Sequence, residues 1–364
     1  MLILNSSNPN EIPFVGIKVQ MSGEHIIIGQ DICIILYGNI YNWRSFSLDT
    51  TSTPEDIIRK LYITYGMEYT LQILDGVFSI VLLDQRAELE ISTLYITCDP
   101  LGLIPIYFMK YNSKYFMYYN RTNTNNMEVS PSILLEPGTF TTFTLSHKVI
   151  SEWEKTIQNT TYSLLGKSGN FPISCLRDIN NVFPSPPLTI QTNTLYRRLL
   201  HSIIQKYIDF GKHIICIIEP NNEESYLIAD FIEHIYAFDG NSRVIIETYC
   251  IVCDGDNKNN YENTRYNHTN LYIHGNISDQ MKMKYLASCI SENVITEDTI
   301  VFMGEGINFL KGDDENDFIL REKVKNIHKK LVPNVIEPFN NENVKVVFPL
   351  LDKSFVDFYL SIPR

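Results

Sequence analysis

The chain has 364 residues, is 44% hydrophobic and 20% charged, and carries a formal charge of −12 at neutral pH. That length exceeds what one hydrophobic core usually supports, so two domains are expected. The negative balance, with Lys and Arg scattered, speaks against nucleic-acid backbone as a partner, and no apolar run approaches the roughly 20 residues that span a bilayer.

The opening Met1-Leu2-Ile3-Leu4 gives way at once to Asn5-Ser6-Ser7, which does not read as a signal peptide. Up to about residue 155, β-branched and aromatic residues alternate between turn signals. Strands are predicted at His25–Ile28, Ile32–Leu36, Val77–Leu83, Leu94–Thr97, Tyr115–Tyr119 and Gly138–Phe143. One helix interrupts them. Thr53 is its N-cap and Pro54 its first residue, it runs from Glu55 to Tyr65 and stops at Gly66, and a second helix covers Glu68 to Ile73. Residues 156–190 are rich in Asn, Ser and Pro and read as an irregular linker.

Helix signals return at Asn193–Tyr207. The apolar run His213–Ile218, a helix over about Ser225–Phe238 and a strand over Arg243–Val252 then form a β-loop-α-β pattern. A helix at Ser278–Glu292 and a strand at Thr299–Met303 extend it, which favours a parallel sheet. The expected fold is therefore α+β over residues 1–155 and α/β over 191–364.

Several smaller features read plainly. Seven scattered cysteines suggest free thiols, and Cys250-Ile-Val-Cys253 lacks the second pair that a metal site needs. Asp254-Gly255-Asp256-Asn257 begins like a calcium loop, but Lys258 and Asn259 fill positions that want an oxygen ligand and a glycine. The stretch 313–317 reads as an exposed acidic loop, and His328 as a surface residue.

A family resemblance is carried by motifs in order along the chain. Tyr37-Gly38-Asn39-Ile40-Tyr41-Asn42 resembles an NGEIYN turn, Leu74-Asp75-Gly76-Val77-Phe78-Ser79-Ile80 resembles LDGxFAF, Asp99-Pro100-Leu101-Gly102-Leu103-Ile104-Pro105-Ile106-Tyr107 resembles RDPxGxxPLY, and Leu135-Glu136-Pro137-Gly138 resembles the following PPG turn. Later, Gly304-Glu305-Gly306 resembles SGEGADE, and Phe348–Phe355 resembles VPFLDKxF. Together they resemble the glutamine-dependent asparagine synthetases: a class II glutaminase domain of N-terminal-nucleophile sandwich type, then a PP-loop, adenine-nucleotide α-hydrolase-like synthetase domain. Against that family the chain is shortened, stopping at Arg364 where further helices are expected.

The resemblance also implies what is missing. Glutamine hydrolysis in that family needs an N-terminal thiol whose own α-amine, with a pKa of about 8, serves as base. Here Leu2 should block removal of the initiator Met, and no cysteine precedes Cys33. Tyr37 stands where the oxyanion-hole Asn should be, beside Gly38 and Asn39; one lost donor costs roughly 3 kcal/mol of transition-state stabilisation. Thr53-Pro54-Glu55-Asp56 falls near the segment that binds the substrate amine, out of register.

In the synthetase half, the phosphate-binding SGGxDS is replaced by Glu219-Pro220-Asn221-Asn222-Glu223-Glu224-Ser225. Both glycines are gone, Pro220 has no N–H, and the carboxylates of Glu219, Glu223 and Glu224 are expected to face the phosphate position. Each like-charge pair at about 4 Å would cost about 1 to 4 kcal/mol. The family's magnesium-binding Asp-Glu pair falls at Asn308 and Phe309, although Glu305 survives.

The resulting expectation is a pseudoenzyme with no catalytic residue, metal or cofactor, serving as a structural, assembly or regulatory protein through protein partners or self-association. It would be cytoplasmic, or part of a viral particle, as the Asn-, Ile- and Tyr-heavy usage of an AT-rich genome hints. The alternative is a divergent ligase forming amides with ATP and Mg²⁺.

Overall fold

The run Ile32–Ile40 puts Ile32, Ile34 and Leu36 on one face and Cys33 and Ile35 on the other, and all five are buried. A strand apolar on both faces needs cover on both. In a computed structural model it lies inside a six-stranded sheet. The structure describes residues 2–4, 17–19, 26–28, 31–46, 51–86, 91–111, 114–118, 133–146, 160–161, 188–208, 213–219, 222–239, 245–253, 269–273, 278–293, 299–306, 323–324, 326–342 and 344–361. The chain divides into two compact units, Met1–Leu164 and Leu165–Arg364.

The first unit holds strands β1 (Leu2–Leu4), β2 (Ile17–Val19), β3 (Ile26–Ile28), β4 (Ile32–Ile40), β5 (Gly76–Asp84), β6 (Ile91–Cys98), β7 (Tyr107–Tyr111), β8 (Lys114–Tyr118), β9 (Ile133–Leu134), β10 (Thr139–Ser146) and β11 (Thr160–Thr161). They form two antiparallel sheets, ordered β11-β10-β6-β5-β4-β3 and β2-β1-β8-β7-β9. Helix α1 (Pro54–Ile73) lays Ile57, Ile58, Leu61, Tyr62, Met67 and Leu71 against Ile32, Ile34, Leu36, Phe78, Ile80 and Leu82 of β4 and β5. Burying each such side chain is worth about 2 kcal/mol.

Helix α1 begins where the sequence predicts. Thr53 accepts from Asp56 N, and Asp56 accepts from Thr53 N, a reciprocal capping box, with Pro54 in the first turn. Gly66 departs from helical geometry at φ 80° and ψ 172°, so the two expected helices are one helical run broken at that glycine.

The second unit holds β12 (His213–Ile218), β13 (Ile245–Cys253), β14 (Thr269–Ile273), β15 (Thr299–Phe302) and β16 (Lys345–Val347), all parallel and ordered β14-β13-β12-β15-β16. With them go α2 (Leu188–Ile208), α3 (Glu223–Asp239), α4 (Asp279–Asn293), the short α5 (Ile327–Leu331) and α6 (Glu337–Asn341) joined by a π turn at Val332–Ile336, and α7 (Lys353–Ser361). Every residue of β12 is buried, as the central strand requires. The chain leaves β12 through α3 toward β13 and β14, then returns through α4 to β15 on the other side of β12. The strand order therefore reverses between β12 and β15, and in open α/β sheets ligands bind at the carboxyl ends beside that point.

These sheets are the expected α+β and α/β arrangements, with corrections in detail. Strands β14 and β16 are not predicted by the sequence, because both are short and lack a long apolar run. Helix α2 starts at Leu188, so the last residues of the expected linker are helical; the rest of it, apart from β11, lies outside the described residues. His328 is buried on α5 rather than at the surface. Cys33, Cys98, Cys216, Cys250 and Cys289 are free thiols. Among the described residues, no helix is long and apolar enough to cross a membrane.

Candidate functional site

In the first unit Tyr37, Gly38 and Asn39 do not form a turn. They are paired within β4, opposite Ser79, Phe78 and Val77 of β5. Gly38 has φ +89°, and a Cβ there would stand 2.2 Å from both Ile104 Cδ1 and the Val77 carbonyl oxygen. Ile104 thus lies where a side chain at position 38 would project.

Ile104 is held by the turn that starts at Asp99. The buried Asp99 carboxylate accepts from the backbone N–H groups of Leu101 (3.0 Å), Leu103 (2.9 Å) and Ile104 (3.2 Å), while Ser79 Oγ donates to the Ile104 carbonyl at 2.5 Å. Burial pushes Asp99 up to about 7 even though the N–H groups pull it down. The turn that starts at Asp99 is a packing device that buttresses Gly38.

Two neighbours are equally committed. Asp56, near the expected amine-binding segment, spends its carboxylate on Thr53 N (3.1 Å) and Thr53 Oγ1 (3.0 Å). Asn42, the last residue of the same motif, donates to the Ile73 carbonyl at 2.8 Å and accepts from Asp75 N at 2.9 Å, tying the end of β4 to the end of α1.

In the second unit the structure brings the two motif remnants together at the switch point. Glu219 follows β12, and Gly304-Glu305-Gly306 follows β15. A Cβ on Gly304 would lie 2.4 Å from Ser225 Cα and N, so backbone packs directly on backbone there. Ser225 Oγ accepts from Glu219 N at 3.1 Å and donates to the Asn222 carbonyl at 2.7 Å, which closes the loop on itself.

The amino end of α3 is already capped. Asn222 Oδ1 accepts from Glu224 N (3.1 Å) and Ser225 N (3.4 Å), so the N–H groups that would cradle a phosphate are used internally. The three carboxylates differ in their surroundings. Glu223 is exposed, and Glu224 is buried near Tyr196, whose phenol is pushed up to about 12 by burial first and by the Glu224 charge second. Glu219 lies where its charge acts on Glu305.

There it meets a cation that no motif announces. Lys282, from the first turn of α4, pairs with Glu219 Oε1 at 2.9 Å. Burial and the Glu219 charge push Glu305 up to about 7, against the pull of Lys282, and Asp279 adds to the rise. Pro220, Asn221 and Asn308 lie outside the described residues. Among the described residues, no group of three His, Cys, Asp or Glu side chains could hold a metal ion. A capped helix, a loop closed by Ser225 and two carboxylates around one lysine do not fit a nucleotide phosphate or Mg²⁺.

The Phe348–Phe355 motif is structural. Buried Asp352 accepts from Lys206 Nζ at 2.5 Å and Tyr207 OH at 3.2 Å of α2, and its other oxygen takes Ser354 N at 3.0 Å to start α7.

No family model and no curated protein matches this chain. Among solved structures, it is similar to one described as the allosteric regulatory enzyme of purine biosynthesis, at 11% identity over 83% of this chain and 70% of that one, TM-score 0.29. Another is glutamine phosphoribosylpyrophosphate amidotransferase from B. subtilis complexed with ADP and GMP, at 12% identity over 83% and 71%, TM-score 0.26. Neither is described as an asparagine synthetase, and overlays this loose carry no argument about family or activity.

Proposed function

We propose that the chain is a catalytically silent relative of the glutamine-dependent asparagine synthetases, an N-terminal-nucleophile-type sandwich joined to a PP-loop domain. In this reading it acts as a structural, assembly or regulatory protein through protein partners or self-association, without a cofactor, in the cytoplasm or within a viral particle.

The supporting observation is the filled switch point. The edge of the parallel sheet where an α/β fold would seat a nucleotide is occupied by the Glu219–Lys282 ion pair and by the contact of Gly304 with Ser225. The expected outcome of thermal denaturation with ATP–Mg²⁺, aspartate or glutamine is an unchanged midpoint. A ligand at a hundred times its Kd would add about 2.7 kcal/mol, so a clear rise with ATP overturns this reading. So does ammonia released from glutamine by the purified chain. Co-purification from the native source identifies the partner.

One observation favours the alternative, a divergent amide-forming ligase using ATP and Mg²⁺. Glu305 is a partly buried carboxyl poised at about 7 in the crevice, a value suited to proton transfer at neutral pH. That reading requires stabilisation by ATP–Mg²⁺, and the same titration separates the two.

A further inference from the structure

The inner face of α1 follows the rule for a helix laid on a sheet, and the outer face breaks it. Ile57, Ile58, Leu61, Tyr62, Met67 and Leu71 are buried, so the opposite side should be polar. It carries instead Ile63, Tyr65 and Tyr69, which are 49%, 58% and 48% exposed. These are three of the eight large apolar side chains that stand exposed among the described residues, so the exposure is concentrated on this one helix. The Tyr65 and Tyr69 rings touch, with centroids 5.0 Å apart. Between them Gly66 is exposed, with open space where a Cβ would stand, and a second backbone can come close at such a point.

Charge is divided unequally along the same face. Lys60 is exposed at the amino-terminal end of this segment and Glu68 is exposed at the carboxyl-terminal end. Neither side chain is committed to an ion pair among the described residues. A two-fold axis through the segment would lay two copies of α1 antiparallel and set Lys60 of each opposite Glu68 of the other. That is the self-complementarity an isologous contact requires, since residue i meets residue j and residue j meets residue i.

We infer that the outer face of α1 is a contact between two copies of this chain, crossed antiparallel about a two-fold axis. Ile63, Tyr65 and Tyr69 form its apolar centre, and Lys60–Glu68 pairs lie to either side. Tyrosine suits such a centre, because its ring is buried while its hydroxyl still reaches water or a partner. A second copy supplies both complements, apolar and charged, from the same residues. The contact deepens the self-association named under the proposed function and rests on that part of it alone. A chain that stays monomeric sinks the contact and leaves the silent crevice, judged by ATP–Mg²⁺, untouched.

The test is sedimentation velocity of the full chain over a concentration series at low salt. The wild type should pass from monomer to dimer as concentration rises. Tyr65→Ser combined with Tyr69→Ser should stay monomeric with an unchanged far-UV spectrum, since both side chains stand outside the core. Lys60→Glu and Glu68→Lys each set two like-charge pairs across the axis, so each should weaken association by about tenfold or more. The double reversal, or an equimolar mixture of the two single variants, should restore the dimer. These charge changes on exposed positions carry the test even where the serine variant loses its fold. A wild type monomeric throughout, a dimer indifferent to the tyrosine changes, or single reversals without effect or without rescue each overturns the contact.

Discussion

Asp352, in the segment that resembles VPFLDKxF, is a structural residue by its geometry. It is almost fully buried and anchors Lys206 and Tyr207 of α2 to the start of α7. Replacing one partner of a buried pair strands the other, at about 3 kcal/mol or more. Asp352→Ala is therefore expected to lower the urea midpoint of the second unit sharply, and a loss under 1 kcal/mol would contradict this role. Gly304→Ala places a Cβ 2.4 Å from the Ser225 backbone, and since neither backbone can yield cheaply, a loss of about 1 to 3 kcal/mol is expected in the same measurement. Asn42→Ala leaves the Ile73 carbonyl and Asp75 N without the bonds that join β4 to α1. It should cost about 1 to 3 kcal/mol in the first unit, read by fluorescence, because both tryptophans, Trp43 and Trp153, precede Leu164.

At the level of elements, helix α1 was the most legible part of the chain. Its cap, its Pro54 and its break at Gly66 all follow from residue types whose backbone preferences are local. Gly66 sits at φ +80° with nothing near it, so Gly66→Ala should cost about 1 kcal/mol from backbone strain alone, visible as a small fall in midpoint without a change in slope. Strands were legible where long apolar runs marked them, as in β4, β5 and β12. Strand β14 was not, because its pattern is exposed or half-buried over all but Ile273, as suits an edge. The candidate site was legible only in part. The residue types of 219–225 displayed the missing glycines of the motif it resembles, yet not that Asn222 would cap α3, nor that Lys282 would arrive from 63 residues away. Ion pairs across such separations leave no spacing for a sequence to display.

Over the whole molecule, the raised carboxyls give a pH signature of defined sign. Asp99 in the first unit and Glu305 in the second both titrate near 7 when folded, above the ordinary range of 3.8 and 4.5. The folded chain therefore retains protons that the unfolded chain has shed, and stability falls as pH climbs from about 4 to about 7. Urea midpoints followed by tryptophan fluorescence should fall over that window through Asp99, whereas a midpoint that rises with pH would contradict its burial. The Glu305→Gln variant should leave this fluorescence signal unchanged while flattening the response of the second unit.

The ammonium of Lys282 gives the crevice a route to ligand binding. A positive charge beside a sheet's carboxyl edge is what an anionic guest would seek, and here it is kept occupied by a tethered internal rival, Glu219. Replacing that one glutamate by a small neutral residue would remove the cation's 2.9 Å partner at the place a phosphate prefers. An anion arriving there would meet one positive charge already in place.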